Sequence, residues 1–193
     1  MKQIIFAGLM MMSITLAANI SDPIGHIETK TINTEESSIV WTGKKVTGQH
    51  SGTINIKSGS LDFDHGALKG GKIVIDMISI KCTDPGKGSK KLDGHLKSDD
   101  FFGVPNHPTA ELTITDVKNG QTKGSYTITA DITIKGTTKQ ITFNADVNDE
   151  VTNAKLVIDR TDFDIRYGSG SFFDDLGDKT IYDDFELVIQ LKY

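Results

Sequence analysis

Five histidines, one cysteine and a run of aspartates toward the end of this 193-residue chain are the side chains that could do chemistry. His26, His50, His65, His95 and His107 share no i, i+2 or i, i+4 spacing, and no CxxC pair accompanies them. The chain therefore lacks the linear signatures of a zinc site, and the expected set of metal ligands is none. Asp174, Asp175, Asp178, Asp183 and Asp184 do not fall into the alternating pattern of a calcium loop and read as a solvated loop. Tyr167-Gly168-Ser169-Gly170-Ser171 lacks the GxSxG spacing of a nucleophile elbow and reads as a wide turn. Cys82 stands alone, so no internal disulfide can form, and without a histidine beside it in sequence it reads as a small apolar strand residue. No nucleophile–base pair and no glycine-rich phosphate loop is recognisable. These residues point to binding without catalysis and without a cofactor.

The elements that must position a binding site are strands. Tyr126, Ile128, Ala130, Ile132 and Ile134 alternate with Thr127, Thr129, Asp131 and Thr133, a period of two that fits no helix. A turn at Gly136-Thr137-Thr138 leads into a second alternating run, Ile141, Phe143, Ala145 and Val147, so the two form a hairpin. The pattern returns at Phe185, Leu187, Ile189 and Leu191. Less regular strands are expected near 38–43, 52–57, 60–63, 72–80, 109–115 and 154–162, with turns at Gly66, Gly70-Gly71 and Asn119-Gly120. One stretch, Lys90 to Phe102, does not alternate. Leu92 and Leu96 lie one helical turn apart and Pro105 and Pro108 follow, which predicts a short helix and then a loop.

The total of about eight or nine strands suits one closed antiparallel sheet. No amphipathic helix is long enough to cover a sheet, so the sheet must cover itself. A barrel of this size is either filled by its own side chains or holds one small ligand. The inward set includes large aromatic and β-branched residues with almost no charge, which favours an apolar ligand, while a solid barrel serving as a structural or interaction protein stays open.

Composition narrows the partners. A net charge of −5 argues against nucleic acid, whose phosphates need a basic surface. Lys2, an apolar stretch from Ile4 to Leu16 and the small residues Ala17-Ala18 read as a signal peptide over 1–18, too short to span a bilayer comfortably, with an uncleaved N-terminal anchor as the alternative. The mature chain is then expected in the periplasm or secreted, with no integral membrane span. Residues 19–35, with Pro23 and Gly25, read as a linker or irregular segment before a barrel domain over 36–193. Pairing into a homodimer through a barrel edge or loop is left open.

Four motifs in order resemble the YceI-like family of exported polyisoprenoid-binding barrels. They are Asp76-Met77-Ile78-Ser79-Ile80; the block Gly94-His95-Leu96-Lys97-Ser98-Asp99-Asp100-Phe101-Phe102 before Pro108; the hairpin over 126–138; and Arg160-Thr161-Asp162-Phe163. The chain departs from the family at Leu92-Asp93, where Arg often precedes the Asp, and at Lys44-Lys45 with His50 further on, where a Lys-His pair is common. The resemblance implies an elongated lipocalin-like barrel that takes a long isoprenoid, isoprenoid-quinone or fatty chain into its lumen, with no catalysis. The residues expected to line that lumen are Trp41, Ile73, Ile75, Met77, Phe101, Phe102, Leu112, Ile114, Ile128, Ile132, Phe143, Phe163, Phe185, Leu187 and Ile189. His95 would either fix the helical segment by hydrogen bonding to backbone or contact a polar head group at the mouth.

Overall fold

A computed structural model describes residues 26–84 and 89–193. The expected signal peptide and most of the expected linker lie outside these residues. Among the described residues there are nine strands and one α-helix: β1 (Ile27–Thr31), β2 (Ser38–Lys45), β3 (Gly48–Asp64), β4 (Ala67–Cys82), α1 (Ser89–Lys97), β5 (Thr109–Asn119), β6 (Ser125–Ile134), β7 (Thr137–Val147), β8 (Val151–Asp159) and β9 (Ile181–Lys192). All strand pairs are antiparallel, in the order β3-β2-β9-β8-β7-β6-β5-β4, and β4 returns to pair with β3 and close the barrel.

The closing strand is long. The 17 residues of β3 would reach roughly 55 Å if fully extended. Its first part pairs with β2 through Gly48–Ile54, and its last part pairs with β1 through Ser60–Asp64. Thus β1 continues the edge where β2 leaves it. The stretch 27–31, expected to be irregular, is this extra strand; its five residues are mostly exposed and do not alternate, so it left no periodic signal. The two short strands expected at 52–57 and 60–63 are one, with register shifts against β4 where the pattern breaks. Gly70-Gly71 is not a turn but part of β4. Gly71 has φ +152°, and a Cβ there would lie 2.5 Å from the Ser60 carbonyl oxygen, so only glycine fits beside β3.

The β6–β7 hairpin follows its sequence closely. Every second residue of β6 is buried, with Ala130 fully so. On the outer face the threonines pair across the strands: Thr133 with Thr138 at 2.8 Å, and Thr127 donating to Asn144 at 3.0 Å. These cross-strand pairs fix the register that keeps the apolar set inside. The turn itself sits one residue earlier than expected, at Lys135-Gly136, both with positive φ, as a two-residue hairpin requires.

The expected helix appears as α1, followed by turns through Phe102. It closes over one end of the barrel: the Asp93 carboxylate accepts from the backbone N–H of Cys82 at 2.6 Å, and Pro108 accepts from the N–H of Met77 at 3.1 Å. The last expected irregular strand ends early. β8 stops at Asp159, and Arg160–Phe163 is a 3₁₀ turn capped by the Asp159 side chain.

Candidate functional site

A cavity of about 200 Å³ lies inside the barrel, lined almost wholly by apolar side chains from every closed-barrel strand except β7, together with α1 and Phe101-Phe102. Eleven of the fifteen expected lining residues are on its wall: Trp41, Ile73, Ile75, Met77, Phe101, Phe102, Leu112, Ile132, Phe185, Leu187 and Ile189. Strand pairing explains how they meet. Ile73 of β4 is opposite Leu112 of β5, and Leu112 is opposite Ile132 of β6, which makes one continuous belt across three strands.

Four expected residues are elsewhere. Ile128, Ile114 and Phe143 lie toward the other end, where Ile128 pairs with Phe143 and Ile114 with Ala130. There the barrel is filled by its own side chains, including the buried Leu61, Phe63, Leu68 and Tyr126. Phe163 is 1% exposed, but it belongs to the 3₁₀ turn and packs outside the cavity wall. The inner face is thus packed at one end and hollow at the other. Alternation identifies the inner face but not the depth at which packing stops.

The polar residues on the wall gather at the α1 end. They include Lys44 and Lys45 at the end of β2, His50 near the start of β3, His95 of α1, Arg160 after β8 and Asp184 in β9. Lys44 pairs with Glu186, and this bond holds the Glu186 carboxyl below its ordinary range. His95 does not hold the helical segment by a ring hydrogen bond through Nε2, which is buried without a partner among the described residues. Instead its ring packs edge-on against Tyr167 and Phe101, with centroids 4.4 and 5.2 Å apart. The segment is held by backbone and hydroxyl: the His95 carbonyl accepts from the Ser98 N–H at 3.1 Å and its hydroxyl at 2.7 Å. Trp41 Nε1 is likewise buried without a partner.

Arg160 is the residue that sequence reading placed in a motif but not in the site. It is 3% exposed. Its guanidinium donates to the carbonyls of Ile165 (2.7 Å), Ile181 (3.0 Å) and Tyr182 (3.2 Å) and pairs with Asp183 at 3.3 Å. Burial draws its pKa down, while the Asp183 and Asp159 carboxylates oppose that shift. The result is a clamp that ties the long 164–184 segment to the barrel beside Phe101, whose ring lies 5.7 Å from the guanidinium carbon. The segment is less open than its composition suggests. Ser169 is fully buried, forms a bridge to Ile181 and accepts from the Ser171 N–H at 3.1 Å. Asp183 is drawn into the clamp, while Asp174, Asp175 and Asp178 remain exposed.

Cys82, expected to be a small apolar strand residue, packs against the core. It is half-buried at the end of β4, with His50 and Asp84 beside it. Burial, followed by the nearby carboxylates of Asp84 and Asp93, pushes its thiol pKa up.

Among known proteins, the YceI-like domain model matches residues 31–193. A UPF0312 protein of Photorhabdus laumondii is 32% identical over 99 residues, 51% of this chain and 49% of that protein. The chain thus spans about half the length of the first curated relatives it matches. The crystal structure of BcnA from Burkholderia cenocepacia superimposes with a TM-score of 0.68 at 19% identity, over 83% of this chain and 98% of that one. A polyisoprenoid-binding domain from Saccharophagus degradans, implicated in plant cell wall breakdown, does so at 0.59 and 15%, over 86% and 99%. At these identities the structures establish a shared barrel.

Proposed function

The chain belongs to the YceI-like family, and from that premise we propose that it is an exported carrier that holds one long apolar molecule in its lumen and does no chemistry on it. The observation that carries the reading is the cavity itself: a closed barrel that is solid at one end and hollow at the other, with an apolar wall and a polar rim. Such a shape suits a chain-like molecule that buries its tail and keeps a polar head near α1. A polyisoprenoid, an isoprenoid quinone or a fatty-acid derivative has that form, and the Saccharophagus neighbour is described as polyisoprenoid-binding. Hydrophobic transfer, at roughly 25 cal/mol per Å² of apolar surface, supplies the affinity. His95, with Lys44, Lys45, His50 and Arg160 around the same end, is the candidate contact for the head group. The N-terminal segment 1–18 directs export to the periplasm or beyond.

Native mass spectrometry of the mature protein, purified from periplasm without detergent, tests this directly. A stoichiometric lipid that leaves on organic extraction is the expected result. A clean unliganded mass, with no uptake of added isoprenoid quinones or fatty acids, would instead favour a protein that works through its outer surface.

A further inference from the structure

Barrel closure brings together three side chains that lie 32 and 34 positions apart along the chain. Gly52 of β3 faces Cys82 of β4. Beyond that pair the two strands stay joined: the Ser51 carbonyl accepts from the Thr83 N–H at 2.9 Å, and the Asp84 Oδ1 accepts from the Ser51 N–H at 3.1 Å. His50 Nδ1 then lies 2.8 Å from Asp84 Oδ2. The imidazole nitrogen, the Cys82 thiol and the Asp84 carboxylate all lie within 4.8 Å of one another.

We propose that His50, Cys82 and Asp84 form a three-ligand site for a late first-row divalent cation, zinc foremost, with a fourth coordination position left open. The donor set decides the class of ion. One sulfur, one nitrogen and one oxygen suit a borderline cation, whereas magnesium and calcium take oxygen ligands. Three protein ligands with an open position is the arrangement of accessible zinc centres.

Geometry supports the assignment. Zinc bonds of roughly 2.0–2.3 Å place donors roughly 3.5 Å apart in a tetrahedron, so donors that already lie within 4.8 Å of one another need only a small adjustment to share one ion. The His50 and Asp84 side chains are 44% and 33% exposed, which leaves them room to turn. The backbone beneath them is already held by bonds that do not use the ligating atoms. The Asp93 carboxylate accepts from the Cys82 N–H at 2.6 Å, and Asp84 uses Oδ1 for Ser51 while Oδ2 faces His50. Outer-shell support of this kind orients ligands before an ion arrives. The His50–Asp84 hydrogen bond is exchanged for two bonds to the ion. A scan for linear histidine and cysteine spacing has no access to such a site, because pairing of β3 with β4 assembles it. Since His50 also lines the lumen, the ion would stand at the cavity's edge, but the site does not depend on a lipid being bound.

Cobalt(II) titration of the metal-free protein reads the thiolate ligand directly. One equivalent of cobalt should produce a thiolate-to-metal charge-transfer band in the near ultraviolet, and one equivalent of zinc should remove it. Cys82→Ser should abolish the band and weaken zinc at least tenfold. His50→Gln should weaken both ions by a similar factor, and it serves as the second variant should Cys82→Ser fold poorly by circular dichroism. A wild-type protein that shows no band, or zinc affinity that is unchanged in both folded variants, would overturn the assignment. Lipid loading is read separately by mass spectrometry, so a failure of the lumen reading leaves this result interpretable.

Discussion

Arg160 shows how one buried side chain can both line a site and hold it in place. Its donors satisfy three backbone carbonyls and one carboxylate, so removing it leaves all four acceptors in a poorly solvated place. Truncating one partner of such a buried network costs about 3–5 kcal/mol. Arg160→Met should therefore lower stability by about 3 kcal/mol in urea unfolding, and the 164–184 segment should become the first site of limited proteolysis. A drop below 1 kcal/mol would mean that the clamp is dispensable. Tyr193 makes a subtler prediction. Its hydroxyl donates to the Asn148 carbonyl at 2.7 Å, and burial is the largest cause raising its pKa. A folded-state pKa above the unfolded value of about 10 means that its contribution is complete below that pH and is lost as pH rises through the folded value. Between pH 9 and 11 the urea midpoint of the wild type should fall more than that of Tyr193→Phe. Equal slopes would show that the phenol titrates as it does in the unfolded chain.

At the level of elements, what the sequence revealed depended on whether the signal was local. β6, β7 and β9 carry clean alternation because one face meets the core and the other meets solvent, and the α1 segment stands out because alternation stops there. β1 is illegible because it pairs only with the end of β3, at the sheet's edge, and buries little. The bulges of β3 read as a break in the sequence because a register shift interrupts the same-face pattern without ending the strand. Nine of the eleven lining positions follow from side-chain parity, while Phe101 and Phe102 stand after α1, where alternation stops. Parity also puts Ile114, Ile128 and Phe143 on the inner face, but it says which way a residue points and not how far along the barrel the cavity reaches, and Phe163 lies in a 3₁₀ turn beyond β8. Arg160 and the His50–Cys82–Asp84 cluster were hidden for a different reason: their partners are distant in sequence. Two glycines separate local from tertiary demands. At Gly52, a Cβ would come within 2.0 Å of the Lys81 carbonyl oxygen and 2.5 Å of the Trp41 ring, whereas at Gly94 in α1 it would meet nothing within 4 Å. Gly52→Ala should cost about 2–3 kcal/mol through overpacking between β2, β3 and β4. Gly94→Ala should stabilise α1 by about 0.5–1 kcal/mol. Thermal melts of the two variants should move in opposite directions; a shared direction would mean that helix propensity and strand packing are not the governing forces at these sites.

At the scale of the whole molecule, a barrel of ordinary strand number is both a stable core and hollow. The filled end supplies the core. There the Tyr126 hydroxyl accepts from the Leu68 N–H at 3.4 Å, and Leu61 and Phe63 are 2% and 3% exposed. That packed end anchors the strands so that the α1 end can remain hollow. Leu112 is the place to test the division, since it is flanked by Ile73 and Ile132 in the belt across β4, β5 and β6 and faces the cavity. Leu112→Trp should cost about 1–3 kcal/mol, as overpacking does, while leaving the barrel closed. A larger ring at that belt occupies space that an apolar chain would use, so the lipids extracted from this variant should be shorter than those from the wild type, or absent. Val157→Trp is the matched control: Val157 lies on the outer face of β8, 63% exposed, and its variant should carry the wild-type lipid. Identical lipid profiles in all three proteins would place the bound molecule outside the lumen, whereas loss confined to Leu112→Trp would tie the length of the ligand to the depth at which the barrel stops being filled.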